Sequence, residues 1–331
     1  MSIGGHDSRL STSDNYRAFA REAHGRSPAY ESLANSVAGD ENVLSFLSSL
    51  PQQKRQPNLL FASARYLLNK PPSMSQLRAL VDQDAVGLAQ VMLAHWTQTN
   101  EPARCATILP ALAGLPGPLS LIEVGASAGL TLLFDRYSYD YDGALLSGSD
   151  ADAPMLRCSR LGNVPAPIPE RMPEIAWRAG LDLNPLDVTS EEDIRWLSCL
   201  VWPGEGDRQE RLDAAVVSAR RDPPAVYRGD LLTDLPEVAA QAPREATLVV
   251  YHSAVLAYVA AEDRRRFAET IRSLGAIWLS NEAPGVIADI SVHMPVRPEH
   301  NGAFLLVRDG RTPLAFTDGH GTWLQWLEGP L

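Results

Sequence analysis

The stretch Leu121-Ile122-Glu123-Val124-Gly125-Ala126-Ser127-Ala128-Gly129-Leu130 decides how this chain is read. A short apolar run leads into five small residues, and an apolar segment follows. The pattern predicts a buried strand, a tight turn, and a helix that begins near Gly129. Small residues let backbone approach a ligand closely, and a helix N-terminus presents free N–H groups. A dinucleotide site would place G-x-G-x-x-G here. Ser127 and Leu130 stand where two of those glycines belong, and Glu123 suits a neighbouring pyrophosphate poorly.

Outward from the turn, short apolar runs alternate with helical segments. The runs cover residues 119–124, 175–181, 225–228, 247–251 and 276–279. Such buried runs between helices predict a parallel sheet in an α/β domain. Ser190 before Glu191, Glu192 and Asp193 gives one helix a cap and an acidic first turn. Phe267, Ile271 and Leu274 recur at helical spacing before Gly275. Asp309-Gly310 between two apolar runs predicts a terminal antiparallel hairpin. Pro154, Pro165, Pro167, Pro169 and Pro173 mark an extended loop, and residues 137–173 read as an inserted hairpin plus that loop.

The first third differs. Residues 41–50, 58–68 and 84–96 read as helices, separated by Pro51, Pro57, Pro71 and Pro72. The expected organisation is a helical N-terminal domain over residues 1–113 and an α/β domain over residues 114–331.

The 331 residues carry 29 basic and 40 acidic side chains, a net charge of −11. That balance argues against nucleic acid and anionic membrane as partners, since both need a positive face. The basic run Arg264 to Arg266 sits beside Glu262, Asp263 and Glu269 and reads as a solvated helix face. No apolar run reaches the ~18 residues of a membrane span. The N-terminus has no secretory pattern, and Cys105, Cys158 and Cys199 form no disulfide framework. A reduced, cytoplasmic protein is expected. His293, His300 and His320 lack ligand spacing, so no metal site is expected.

The E-x-G-x-x-x-G turn resembles the first motif of class I S-adenosylmethionine (SAM) methyltransferases, with Ser127 in place of the usual middle glycine. Over most of its length the chain also resembles a bacterial family catalogued as a domain of unknown function, DUF2332. The resembling stretches are residues 98–101, 123–130, 135–141, 182–187, 201–203, 250–253 and 320–321. The resemblance implies a Rossmann-like sheet of the methyltransferase type and SAM as cofactor. It implies that Glu123, Gly125, Ala126, Ser127 and Gly129 form the cofactor turn. An acid ending the second strand would take the ribose hydroxyls. Asp142 and Asp182 compete for this role, and Asp182 is favoured because the alternation of Tyr137, Tyr139 and Tyr141 suits a half-exposed strand. Asp230, after the third strand, would face the adenine or cap a helix.

Ligand crevices in open α/β sheets lie beyond the carboxyl ends of the strands. His252, after the fourth strand, is therefore the expected general base, with Tyr251 and Glu282 orienting the acceptor. Asn100 and Glu101 belong to the polar tetrad at residues 98–101. Either Asn100 caps the helix opened by Pro102, or the tetrad touches cofactor or substrate. The expected activity is methyl transfer to a small-molecule acceptor. Alternatives are other SAM chemistry, such as cyclisation, and a non-catalytic SAM- or nucleotide-binding protein. A nicotinamide oxidoreductase is disfavoured by the failed glycine pattern. Oligomeric state is open, a homodimer included.

Overall fold

Helix starts in the first hundred residues follow from their caps. α1 (Thr12–Ala23), α3 (Glu41–Ser48), α5 (Met74–Gln83) and α6 (Ala85–Ala94) are capped by the side chains of Ser11, Asp40, Ser73 and Asp84. α2 (Pro28–Ala38) and α4 (Pro57–Leu68) instead begin on proline, whose missing N–H costs nothing there. The computed structural model describes residues 10–286, 300 and 302–327. It divides into two compact units. The first comprises Met1–Thr99 with Glu191–Glu210, the second Asn100–Ser190 with Arg211–Leu331. The first unit packs around Phe61, which meets Tyr16, Phe19 and Tyr30 with ring centroids 5.0–5.9 Å apart.

The second unit begins with α7 (Arg104–Leu112), every residue of which is buried. β1 (Leu119–Val124) follows and is also buried throughout. β2 (Ser138–Tyr141), β3 (Ala144–Leu146) and β4 (Met155–Arg157) form a small separate sheet. The hydroxyls of the fully buried Tyr139 and Tyr141 donate to the carbonyls of Phe134 and Ala106. The proline-rich stretch thus holds β4 and also β5 (Ser159–Leu161), not loop alone. β6 (Ile175–Asp182) is followed by α8 (Glu191–Leu200), which belongs to the first unit, and by α9 (Gly206–Arg221). Then come β7 (Val226–Arg228), α10 (Leu235–Ala239), β8 (Thr247–Ser253), α11 (Ala261–Ser273) and β9 (Ile277–Glu282). β10 (Phe304–Arg308), β11 (Thr312–Thr317) and β12 (Trp323–Trp326) complete the described strands.

The large sheet is mixed and mostly parallel, in the order β5-β12-β11-β10-β9-β8-β1-β6-β7. β7, β6, β1, β8 and β9 run parallel to one another. β10 lies antiparallel to β9 and forms the expected hairpin with β11. Asp309 and Gly310 take φ of 55° and 65° at that turn. One face of the parallel strands is sealed by Ile122, Val250, Phe267, Ile271 and Trp278. No helix among the described residues is long and apolar enough to cross a membrane.

Candidate functional site

The strand order sets where a site belongs. From β1 the chain winds one way through β6 and β7, then the other way through β8 and β9. The direction switches between β1 and β8, and the carboxyl ends of parallel strands at such a point are where open α/β sheets hold ligands. Glu123, Asp182, Ser253, Asn281 and Glu282 lie at those ends.

The turn after β1 takes φ of 72° at Gly125, 54° at Ser127 and 71° at Gly129. The helix expected at Gly129 does not form. Only a single 3-10 turn, Leu130–Leu132, is present. Leu130, Leu132, Leu133 and Phe134 are all fully buried, so the segment has no polar face for a surface helix to present. Four of the turn's amides are also spent. Gly125 N–H donates to Leu181 O at 2.8 Å, Ser127 N–H to Asp182 Oδ2 at 2.8 Å, Gly129 N–H to Ala126 O at 2.7 Å, and Leu130 N–H to Asn100 Oδ1 at 2.8 Å. The glycines make room for protein rather than for ligand. A Cβ on Gly129 would meet Pro224 and Val226 at 2.8 and 2.9 Å, and one on Gly125 would strike Val255. Ala126 packs on Gly180 of β6.

Glu123 is 4% exposed. Its Oε1 accepts from the Thr131 hydroxyl, and its Oε2 is buried without a hydrogen-bond partner. Burial pushes its carboxyl up to about 8, against the opposing pull of the Thr131 hydrogen bond and the Arg104 charge. An orphaned oxygen of this kind calls for a partner from outside the fold.

Asp182 ends β6 in the place expected of the ribose-binding acid. Besides Ser127 N–H, it accepts Asn184 N–H at 2.8 Å through Oδ1. Asp142 lies elsewhere, at the β2–β3 turn of the small sheet, where it accepts Arg160 N–H at 2.7 Å. Asp230 closes its own turn, accepting Leu232 N–H at 2.7 Å. Asn100 does not cap α7. Its Nδ2 lies 3.5 Å from the Thr131 hydroxyl, and its Oδ1 holds Leu130. The Glu101 carboxylate accepts Ala103 N–H and pairs with Arg211 at 3.1 Å.

The expectation for His252 requires correction. The ring is fully buried, and both its nitrogens are engaged within the core. Trp278 Nε1–H donates to His252 Nε2 at 3.0 Å. An indole nitrogen can only donate, so Nε2 accepts and the ring proton sits on Nδ1. Nδ1 faces Glu282 Oε1 at 2.7 Å. Period-two alternation turns His252 toward Phe267 and Trp278, and no ring nitrogen is left for a substrate proton. Tyr251 on the other face donates its hydroxyl to Thr131 O at 3.0 Å. Burial raises that phenol well above its ordinary range. The Oε1 of Glu282 is likewise occupied, accepting the Val255 and Leu256 amides at 2.8 and 3.0 Å as well, while its Oε2 is buried without a hydrogen-bond partner. It secures the loop whose Val255 lies over Gly125.

Several participants carried no sequence signal. Thr131 joins Glu123, Asn100 and Tyr251. Arg104, 9% exposed, donates to Gly319 O at 2.9 Å and Ser253 O at 3.2 Å. Asn281 links Ser253 Oγ to the Thr317 hydroxyl at 3.1 and 2.7 Å. Among the described residues no cluster of three or more acidic, histidine or cysteine side chains could hold a metal. His293 lies outside the described residues.

A family described as an uncharacterized protein conserved in bacteria, DUF2332, matches residues 13–326. No curated protein and no solved structure matches the chain.

Proposed function

The chain belongs to DUF2332, a family described without an activity, and from the site itself we propose that it is a SAM-dependent methyltransferase acting on a small-molecule acceptor. One observation carries the reading. At the switch point the Gly125, Ser127, Gly129 and Leu130 amides are consumed internally, while two acidic side chains, Glu123 and Asp182, end adjacent parallel strands. A phosphate-bearing cofactor needs free N–H donors. A ligand with hydroxyls, an ammonium and a sulfonium, and no phosphate, needs acceptors instead. SAM has that donor-rich, cationic character.

The parallel order β7-β6-β1-β8-β9, with an antiparallel β10 beside β9, supports a methyltransferase-like Rossmann arrangement. Asp182 would take the ribose hydroxyls with its carboxylate oxygens, which can each accept more than one hydrogen bond. The Glu123 carboxyl, which burial keeps protonated up to about 8, would give up that proton to meet the cofactor's ammonium through Oε2, with Thr131 fixing its other oxygen. Gly125 and Ser127 set the turn's curvature, and Val255 must shift for a ligand to lie against it. When bound, SAM would supply a sulfonium methyl group, which the acceptor takes in line as the carbon–sulfur bond breaks and the sulfur leaves as a thioether. The protein's share is then alignment and exclusion of water. With His252 closed off, no base from β8 is required of this scheme. His252 and Glu282 act at one remove, by holding the Val255 loop.

Thermal shift tests the proposal directly. A ligand at 100 times its Kd adds about 2.7 kcal/mol of stability. SAM and S-adenosylhomocysteine should raise Tm, and NAD and ATP should not. Stabilisation by NAD or ATP alone would replace the reading with a nucleotide-binding one.

A further inference from the structure

α11 ends beside the start of β9, and the β10–β11 turn returns to the same place. Between them the three elements leave an open cavity of about 400 Å³. That volume suits a small molecule. Ile271, Ile277 and Trp278 supply its apolar lining, and Arg272, Asp309 and Arg311 its charges. The cavity lies at the amino end of β9, whereas Glu282 ends that strand at the other end. It is therefore apart from Glu123 and Asp182, which also stand at carboxyl ends.

The charges of the lining do not cancel. Asp309 is spent on backbone: its N–H donates to Trp278 O at 2.8 Å, and its Oδ1 accepts Trp278 N–H at 3.0 Å. This reciprocal pair clips the hairpin turn to β9. Two cations then stand against one engaged acid, in a chain whose net charge is −11. Other arginines of α11 have partners. Arg266 pairs with Asp263 at 3.1 Å, and Arg264 donates to the Val259 and Val286 carbonyls at 2.8 Å. Among the described residues the guanidiniums of Arg272 and Arg311 make no ion pair and no hydrogen bond. A helix end and a hairpin turn thus deliver two open donor forks to one cavity. Its aromatic wall is already fixed. Trp278 is 5% exposed, and its Nε1–H is held by His252 at 3.0 Å. A ligand lying on it has no ordering of the wall to offset.

We propose that this cavity binds a small organic anion, a carboxylate or phosphate ester carried on a flat apolar body. Guanidinium forks match both head groups in geometry and in charge. Ile271, Ile277 and Trp278 take the body out of water, a contact that a bare inorganic anion leaves unused. The site is independent of the SAM reading, and either can fail alone.

The test titrates the full-length chain with phenyl phosphate and with isophthalate. Calorimetry gives the affinity, and NMR follows the Trp278 indole N–H, assigned by its loss in Trp278→Phe. At least one of the two aryl anions should bind with a Kd below about 1 mM and move that signal. Inorganic phosphate and benzyl alcohol each carry half of the recognition chemistry and should bind about tenfold more weakly or worse. Arg272→Gln and Arg311→Gln should each weaken binding about fivefold with Tm unchanged, and the double variant should weaken it further. Three results would overturn the proposal: a Trp278 signal that neither aryl anion moves, inorganic phosphate binding as tightly as phenyl phosphate, or a double variant of parental affinity. Each would leave the two arginines as solvated cations at a helix end and a hairpin turn.

Discussion

Asp182 Oδ2 accepts the Ser127 amide at 2.8 Å, tying the end of β6 to the turn that leaves β1. Ser127 stands at a φ of 54°, where a non-glycine residue is costly, and the carboxylate holds it there. One side chain thus shapes the turn and presents an acid at the switch point. Asp182→Ala should weaken SAM binding by about 1.5–3 kcal/mol, the scale of a charge-assisted hydrogen bond. Asp142→Ala, in the small sheet, should leave affinity unchanged. Calorimetric titration of both variants decides, and the reverse pattern would move the ribose subsite.

Glu123 yields a pH prediction with a definite sign. Its carboxyl has an ordinary value of 4.5 and is held up to about 8 when folded. Between these values the folded chain keeps a proton that the unfolded chain has shed, so stability falls as pH rises from about 4.5 to 8. Glu123→Gln stays neutral and keeps an acceptor for Thr131. It should be more stable than the parent at pH 8 by a few kcal/mol, with the difference shrinking toward pH 5. Urea midpoints at the two pH values measure this. Equal pH dependence in both proteins would contradict a buried, proton-holding Glu123.

Much of the architecture was legible because burial writes itself into apolar runs. Each of the five runs singled out in the sequence contains or overlaps one of β1, β6, β7, β8 and β9, and Asp309-Gly310 lies at the β10–β11 hairpin. The position of Glu123 at a strand end was legible for the same reason. Side-chain direction was not. His252 sits one residue from Tyr251, and alternation sends them to opposite faces; only the partner Trp278, 26 residues away, reveals which face is core. The missing helix after Gly129 was also hidden, since a small-residue turn followed by apolar residues reads alike whether they form a helix or a buried 3-10 turn. Arg104 and Thr131 act through contacts distant in sequence, which no local pattern encodes.

Gly129→Val tests whether the turn is shaped for packing. The residue has a φ of 71°, and Pro224 and Val226 occupy the space a side chain would need. Strain and overpacking each cost about 1–3 kcal/mol, so the variant should lose several degrees of Tm before any ligand is added. Calorimetry of the ligand-free protein reads this. A variant of unchanged stability that has lost SAM binding would return the glycine to the ligand.

The last prediction separates support from chemistry at β8. His252→Ala removes a fully buried ring, strands the Trp278 N–H, and takes one donor from Glu282. It should destabilise by about 2–4 kcal/mol through the cavity and the unpaired groups. Glu282→Gln should act differently. The ring has 0% exposure and remains in place, and the amide oxygen can stand where Oε1 takes all three donors, but it carries no charge, so each of those bonds weakens. The loop carrying Val255 should loosen, read as faster amide exchange at Val255 and Leu256. If His252 only positions, its alanine variant, measured below its lowered Tm, should keep turnover within about tenfold of the parent. Loss of 10²–10⁴-fold with stability intact is the mark of a general base. That outcome would require the β8 end to open in the working protein and expose a nitrogen that is closed here.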